Sequence, residues 1–112
     1  MNKELLYYLA HPYVSDPLLN TLKANRLAAR LISKGYYIYS PLSMTHYIDV
    51  ELKYMKIEMP NAEWVDYDMK MLSKCDAIIM SGDWRNSKGC LREKEYMKKN
   101  NKPAFGYYAF GD

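Results

Sequence analysis

Apolar and polar positions along this chain follow two rhythms, short unbroken runs and longer stretches that repeat every three to four residues. Residues 5–10 (Leu-Leu-Tyr-Tyr-Leu-Ala) form an apolar, aromatic run halted by His11-Pro12, which predicts a buried first strand with its carboxyl end at a turn. Asp16-Pro17 then supplies an N-cap and a first-turn proline. Leu18, Leu19, Leu22, Leu27, Ala28, Leu31 and Ile32 mark one face of the helix that follows. Lys23, Arg26, Arg30 and Lys34 step along another face, read as a solvated stripe, and Gly35 stops the helix. A second strand over residues 36–40 is closed by Pro41.

The pattern is weakest over residues 42–60, where 43–54 accommodates a helical turn or a short helix that Pro60 ends. Residues 63–74 carry Trp64, Val65, Met69 and Leu72 at roughly helical spacing. Residues 75–81, with Ala-Ile-Ile-Met at their centre, give the clearest buried strand, broken by Gly82-Asp83. Ser87 caps a helix to about residue 100, and 103–108 form a final strand. Strands alternating with helices imply parallel pairing through right-handed crossovers, in an order like 2-1-3-4 with the first strand central. Ligands of such sheets bind beyond the carboxyl ends of strands where the winding reverses, which sets loops 11–16 and 82–87 side by side.

Composition narrows the class. With 112 residues and 49% hydrophobic content the chain suits one domain. Sixteen Lys and Arg against 13 Asp and Glu leave a net charge of +3, too small and dispersed to suggest a nucleic-acid polymer as partner. No apolar run approaches the roughly 18 residues of a membrane span, and the amino terminus lacks a signal-peptide pattern, so a cytoplasmic protein without a membrane partner is expected. Cys75 and Cys90 fit neither a disulfide scaffold nor a zinc pattern and read as buried thiols. Twelve tyrosines against two phenylalanines suggest wet aromatic surface facing a ligand or a subunit, or compositional drift. His46 is expected in solvent. His11 reads either as a ligand contact or as a structural turn contact.

Several chemistries are excluded by motif. GxGxxG is absent after the first strand, GxxxxGK[ST] is absent throughout, no acidic pair closes the first strand, and there is no CxxC. What remains is Ser87-Lys88-Gly89-Cys90-Leu91-Arg92-Glu93. Ser87 at a helix start sets a hydroxyl beside free backbone N–H groups, and Gly89 lies one turn before Glu93 on the same face. A bare glycine above a carboxylate leaves room for a ligand. The alternative is that Ser87 only caps, Gly89 only packs, and Glu93 pairs with a lysine. Asp66, Asp68 and Asp76 precede this segment, and two carboxylates at one sugar can divide labour as nucleophile and acid.

The set Tyr8-Leu9-Ala10-His11-Pro12, Gly35-Tyr36 with Ser40-Pro41, Trp64 and Asp68, Cys75-Asp76-Ala77-Ile78-Ile79, and Trp84…Ser87-Lys88-Gly89…Glu93 resembles the nucleoside 2-deoxyribosyltransferase superfamily over nearly the whole chain. In motif it is closest to the deoxynucleoside 5′-monophosphate N-glycosidase-like branch. The resemblance implies a flavodoxin-like, Rossmann-like three-layer α/β sandwich with a parallel sheet of four or five strands, as a single domain over residues 1–112. It implies cleavage of an N-glycosidic bond, or deoxyribosyl transfer, with Glu93 as nucleophile, Asp68 as second acid and Tyr8 holding Glu93. His11, Pro12, Tyr13, Trp84, Ser87, Lys88 and Gly89 are the expected substrate contacts, with Trp84 stacking on the base and Trp64 in the core.

Nucleoside transferases of the superfamily place an Asp six residues before the nucleophile, where this chain has Ser87. Serine at a helix start admits a 5′-phosphate that a carboxylate would repel, with Lys88 or Arg85 assisting. Two departures stand beside this. The loop His11-Pro12-Tyr13-Val14-Ser15 replaces a Gly- and Arg-containing phosphate loop, and the chain ends at Asp112, soon after the last strand. Both leave open a non-catalytic module that senses or sequesters a nucleotide or an ADP-ribose-derived signal. Neither a cofactor nor a metal is expected; the partners expected are a small-molecule nucleotide or nucleoside and a second copy in a homodimer.

Overall fold

The computed structural model describes residues 1–111. Among them, strands β1 (Leu6–Ala10), β2 (Tyr37–Tyr39), β3 (Ala77–Met80) and β4 (Ala104–Gly106) form one parallel sheet in the order β2-β1-β3-β4. Helices α1 (Pro17–Ser33), α2 (Pro41–Tyr54), α3 (Asn61–Ser73) and α4 (Lys88–Lys99) connect them. The register runs Tyr8↔Tyr39 on one side of β1 and Tyr8↔Ile78 on the other, so Tyr8 sits in the middle of the sheet. The result is the expected small three-layer α/β fold.

Alternation along β1 and β3 divides the core in two. Tyr7, Leu9, Ala77 and Ile79 face one side, with Ala28 and Leu31 of α1 and with Phe110. Tyr8, Ala10, Ile78 and Met80 face the other, with Leu72 of α3 and Cys90 and Met97 of α4. Both thiols are buried and free.

Three expectations need correction. In α1, Leu18, Leu19, Leu22 and Ile32 are exposed, and the buried line runs Asn20, Thr21, Ala24, Ala28 and Leu31. Small and hydrogen-bonded residues win that face because loop and sheet approach the helix closely. The Asn20 amide donates to the Tyr13 carbonyl at 3.2 Å, and Thr21 Oγ1 donates to the Pro17 carbonyl at 2.8 Å. The segment after Ser40 is a full 14-residue helix with Pro41 in its first turn, a start signal of the same kind as Asp16-Pro17. The last strand stops at Gly106, where its partner β3 stops at Met80. The chain then turns through a 3-10 segment, Tyr107–Phe110, that brings Phe110 back against Tyr7 and Tyr36.

Loops 11–16 and 82–87 do lie together. The hydroxyl of Ser81 donates to the Ala10 carbonyl at 2.7 Å, and the Ser81 backbone N–H donates to the same oxygen at 3.0 Å. Gly82 adopts a φ of +61°, and a Cβ there would stand 2.8 Å from His11 Nε2. Only glycine lets the two loops close to this distance.

Candidate functional site

A cleft of about 610 Å³ opens at the carboxyl edge of the sheet. Its floor is Tyr8 with Glu93 and Cys90 of α4; one wall is the loop after β1 (His11, Tyr13, Val14) with Pro41, Leu42, Thr45 and Asp49 of α2. Asn61, Trp64, Val65 and Asp68 of α3 form a second wall, and Asn86, Ser87, Lys88, Gly89 and Arg92 complete the rim.

Glu93 is the buried carboxylate of this cleft, only 8% exposed. Its place follows from helical period: Cys90, Glu93 and Met97 share the face of α4 turned to the sheet. The Tyr8 hydroxyl donates to Glu93 Oε2 at 2.5 Å. Burial pushes the Glu93 carboxyl up to about 7, and the neighbouring Asp68 charge pushes the same way. The Tyr8 hydrogen bond and the Arg92 guanidinium oppose that rise. Asp68 is itself raised to about 6 by burial, against the pull of Arg92. One of its oxygens, Oδ1, is buried without a hydrogen-bond partner among the described residues. The two carboxyls share one electrostatic environment, so their titration belongs to the pair.

Nearby groups are held in defined states. Burial and the Glu93 charge raise the Tyr8 phenol well above its ordinary value, so it remains a donor. Burial lifts the Cys90 thiol to about 11, which leaves it un-ionised and a poor nucleophile at neutral pH.

The rim at the start of α4 has different chemistry. Ser87 caps the helix, its Oγ accepting from the Cys90 N–H at 3.2 Å. The first backbone N–H groups of any helix lack intrahelical partners and carry partial positive charge. Gly89 adds no side chain over this turn. A Cβ there would meet only Arg92 Nη2 at 3.5 Å and Ser87 Oγ at 3.9 Å, which is ordinary contact.

The opposite wall is aromatic and hydrogen-bonded. Tyr13 Oη and His46 Nδ1 lie 2.8 Å apart. The Trp64 indole N–H donates to Asp49 Oδ1 at 3.1 Å, while Lys53 pairs with Asp49 Oδ2 at 2.9 Å. Those contacts lower the Asp49 carboxyl below its ordinary value, first through the Lys53 hydrogen bond.

Of the residues singled out from sequence, Tyr8, His11, Tyr13, Asp68, Ser87, Lys88, Gly89 and Glu93 line the cleft. Among the described residues, Pro12 and Trp84 do not. The Trp84 ring lies in a 3-10 turn with the Arg85 guanidinium 4.4 Å and Lys94 Nζ 5.7 Å from its centroid, so the expected base-stacking surface is already occupied. Trp64, expected in the core, is half-buried in the cleft wall, and His46, expected in solvent, is half-buried beside Tyr13. Asp66 is exposed and outside the lining, and Asp76 Oδ2 accepts from the Leu6 N–H at 2.8 Å, a contact that anchors β1.

Arg92, Asp49 and Thr45 also line the cleft without having been singled out. The three-residue step from Gly89 to Arg92 is the signal that points to Arg92. A shallower depression of about 450 Å³ lies elsewhere, between Lys94, Lys98, Asn101, Lys102, Pro103 and Ala104, with no carboxylate in its lining. Among the described residues no three or more His, Cys, Asp or Glu side chains are grouped to hold a metal ion, and no helix is long and apolar enough to cross a membrane.

Residues 6–109 match the profile of a family described as a domain of unknown function, DUF1937. A search among curated proteins finds no match. The match spans nearly all of the chain, cleft included, and the chain belongs to the DUF1937 family.

Proposed function

We propose that the cleft cleaves the N-glycosidic bond of a 2′-deoxynucleoside 5′-monophosphate, with Glu93 as nucleophile. The observation that carries this reading is the buried Glu93, oriented by the Tyr8 hydroxyl, one turn beyond the bare Gly89. The resemblance to the nucleoside 2-deoxyribosyltransferase superfamily supports it at the same residues.

In the first step the Glu93 carboxylate attacks C1′ of the sugar as the C1′–N bond breaks. The bonding electron pair leaves with the base, which takes a proton from Asp68. In the second step water attacks C1′ of the glycosyl ester, gives its proton to Asp68 and frees the Glu93 carboxylate. The products are free base and 2-deoxyribose 5-phosphate; a second base in place of water gives transfer. Tyr8 stabilises the ionised nucleophile, and Ser87 at the start of α4 receives the phosphate. The aromatic wall at Trp64 suits a planar base.

The raised carboxyls also favour a second reading. Burial favours the protonated form of Glu93, which does not attack. A module that binds a nucleotide without cleaving it fits that state. The deciding experiment is chromatography of the protein incubated with each of the four deoxynucleoside 5′-monophosphates, alongside Glu93→Gln. Base released by the unmutated protein alone supports the glycosidase. Thermal stabilisation by a nucleotide without base release supports the binding module. Equal release by Glu93→Gln removes Glu93 as nucleophile.

A further inference from the structure

We infer that Arg92 is the residue that selects a phosphorylated ligand, its guanidinium pairing with a sugar phosphate across the bare Gly89. The inference deepens the reading above by naming the specificity determinant of the same cleft, and it rests on that reading. Side chains of a helix lean toward its amino end, so the stem of Arg92 runs back over the residue three places earlier. That residue is Gly89. The space its side chain would fill is bordered by Arg92 Nη2 at 3.5 Å on one side and Ser87 Oγ at 3.9 Å on the other. A cation and a hydroxyl thus flank one gap over the first turn of α4.

Arg92 is an exposed residue at the rim of the cleft. It makes no hydrogen bond or ion pair with any described residue. It acts on Glu93 and Asp68 through space, and neither is within ion-pair distance. The exposed guanidinium stands at the rim of a cleft that holds one buried and one half-buried carboxyl, where an anionic ligand can meet it. Its planar fork suits two phosphate oxygens at once, which the ammonium of Lys88 cannot match.

The test is calorimetric titration of the unmutated protein, Arg92→Gln and Arg92→Lys with 2-deoxyribose 5-phosphate, with 2-deoxyribose, and with the four deoxynucleoside 5′-monophosphates. The unmutated protein should prefer the phosphorylated sugar, and Arg92→Gln should weaken phosphate binding on the order of tenfold to a hundredfold without weakening 2-deoxyribose binding. Arg92→Lys should keep part of the preference. This pattern supports the inference even if no base is ever released. A preference retained in full by Arg92→Gln overturns the role of Arg92 and leaves the nucleotide reading intact. No phosphate preference in the unmutated protein overturns the inference as well. If the four monophosphates then neither bind nor lose base, the nucleotide reading falls with it.

Discussion

Tyr7 and Tyr8 are consecutive, of one residue type and both fully buried, yet they serve opposite faces of the sheet. Tyr7 stands edge-on to Tyr36 and Phe110, and its hydroxyl donates to the Asn2 carbonyl at 2.6 Å. Its face is closed by α1 and Phe110, and the phenol needs only one neutral acceptor. Tyr8 turns its hydroxyl to a carboxylate on the floor of an open cleft. Burial of a polar tip is therefore not itself a sign of function. What marks the Tyr8 face is a second ionisable group, Glu93, that burial holds far from its ordinary protonation state while the adjoining space is left unfilled.

The sharpest way to break this contrast is Glu93→Gln. Base release should fall on the order of 10⁴-fold or more. Stability should move the other way. The Glu93 carboxyl is raised from 4.5 to about 7, so the folded state binds the extra proton between those values. The stability this gives is fully present below the unfolded pKa and is lost as pH rises through about 7. Glu93→Gln should thus match the unmutated protein near pH 4 and exceed it at pH 8 by up to roughly 3 kcal/mol, read by denaturant unfolding at both pH values. A variant less stable at pH 8 would show that Glu93 holds the fold together and is not a group kept at a cost.

Asp68→Asn comes next in size. Loss of a general acid should lower turnover on the order of 10²- to 10⁴-fold for ordinary bases. A substrate whose N7-methylated purine departs without protonation should be nearly spared. The unmutated pair, at about 6 and about 7, gives a bell-shaped profile, because catalysis needs Glu93 ionised and one proton retained on Asp68. Removing Asp68 abolishes the alkaline limb. The one remaining limb then belongs to Glu93 alone, so it does not fall below the acid limb of the unmutated pair. An unchanged profile would detach Asp68 from the chemistry.

The tyrosines themselves give a smaller, paired effect. Tyr8→Phe removes a bond that favours the ionised Glu93, so activity should fall about tenfold to a hundredfold and the pH profile should extend upward. Tyr7→Phe should cost about 1 kcal/mol of stability at most and leave activity unchanged. Equal consequences for both would erase the distinction between the two faces.

Gly89→Ala should have the smallest effect on the fold. Its Cβ meets nothing closer than 3.5 Å, and replacing a helical glycine should stabilise by up to about 1 kcal/mol. The same methyl enters the gap between Arg92 and Ser87, so ligand binding should weaken. Thermal unfolding and titration on one preparation read both. A variant that gains stability and keeps its binding would show that the gap is not ligand space.

Much of the fold was legible because β1 and β3 are buried on both faces and read as unbroken apolar runs. The spacing of Gly89 and Glu93 was legible because a helical turn fixes it. Other features depend on packing that no local pattern carries. The buried line of α1 uses Asn20, Thr21 and alanines, while its leucines at 18, 19 and 22 face outward. The two tryptophans exchanged roles: Trp64 has helical spacing but lies on α3 where the cleft opens, and Trp84 is covered by cations of its own neighbourhood. Arg92 looks like any surface arginine until the gap at Gly89 is seen beneath it.

The most direct measurement is mass spectrometry of the protein, intact and then digested to peptides, after incubation with deoxynucleoside 5′-monophosphates carrying an arabino 2′-fluorine. The fluorine slows loss of the sugar from the enzyme and lets a covalent intermediate accumulate. A sugar-phosphate adduct on the peptide that contains Glu93, absent in Glu93→Gln, is the expected result. Base release with no adduct, or an adduct on another residue, would contradict the nucleophilic role of Glu93.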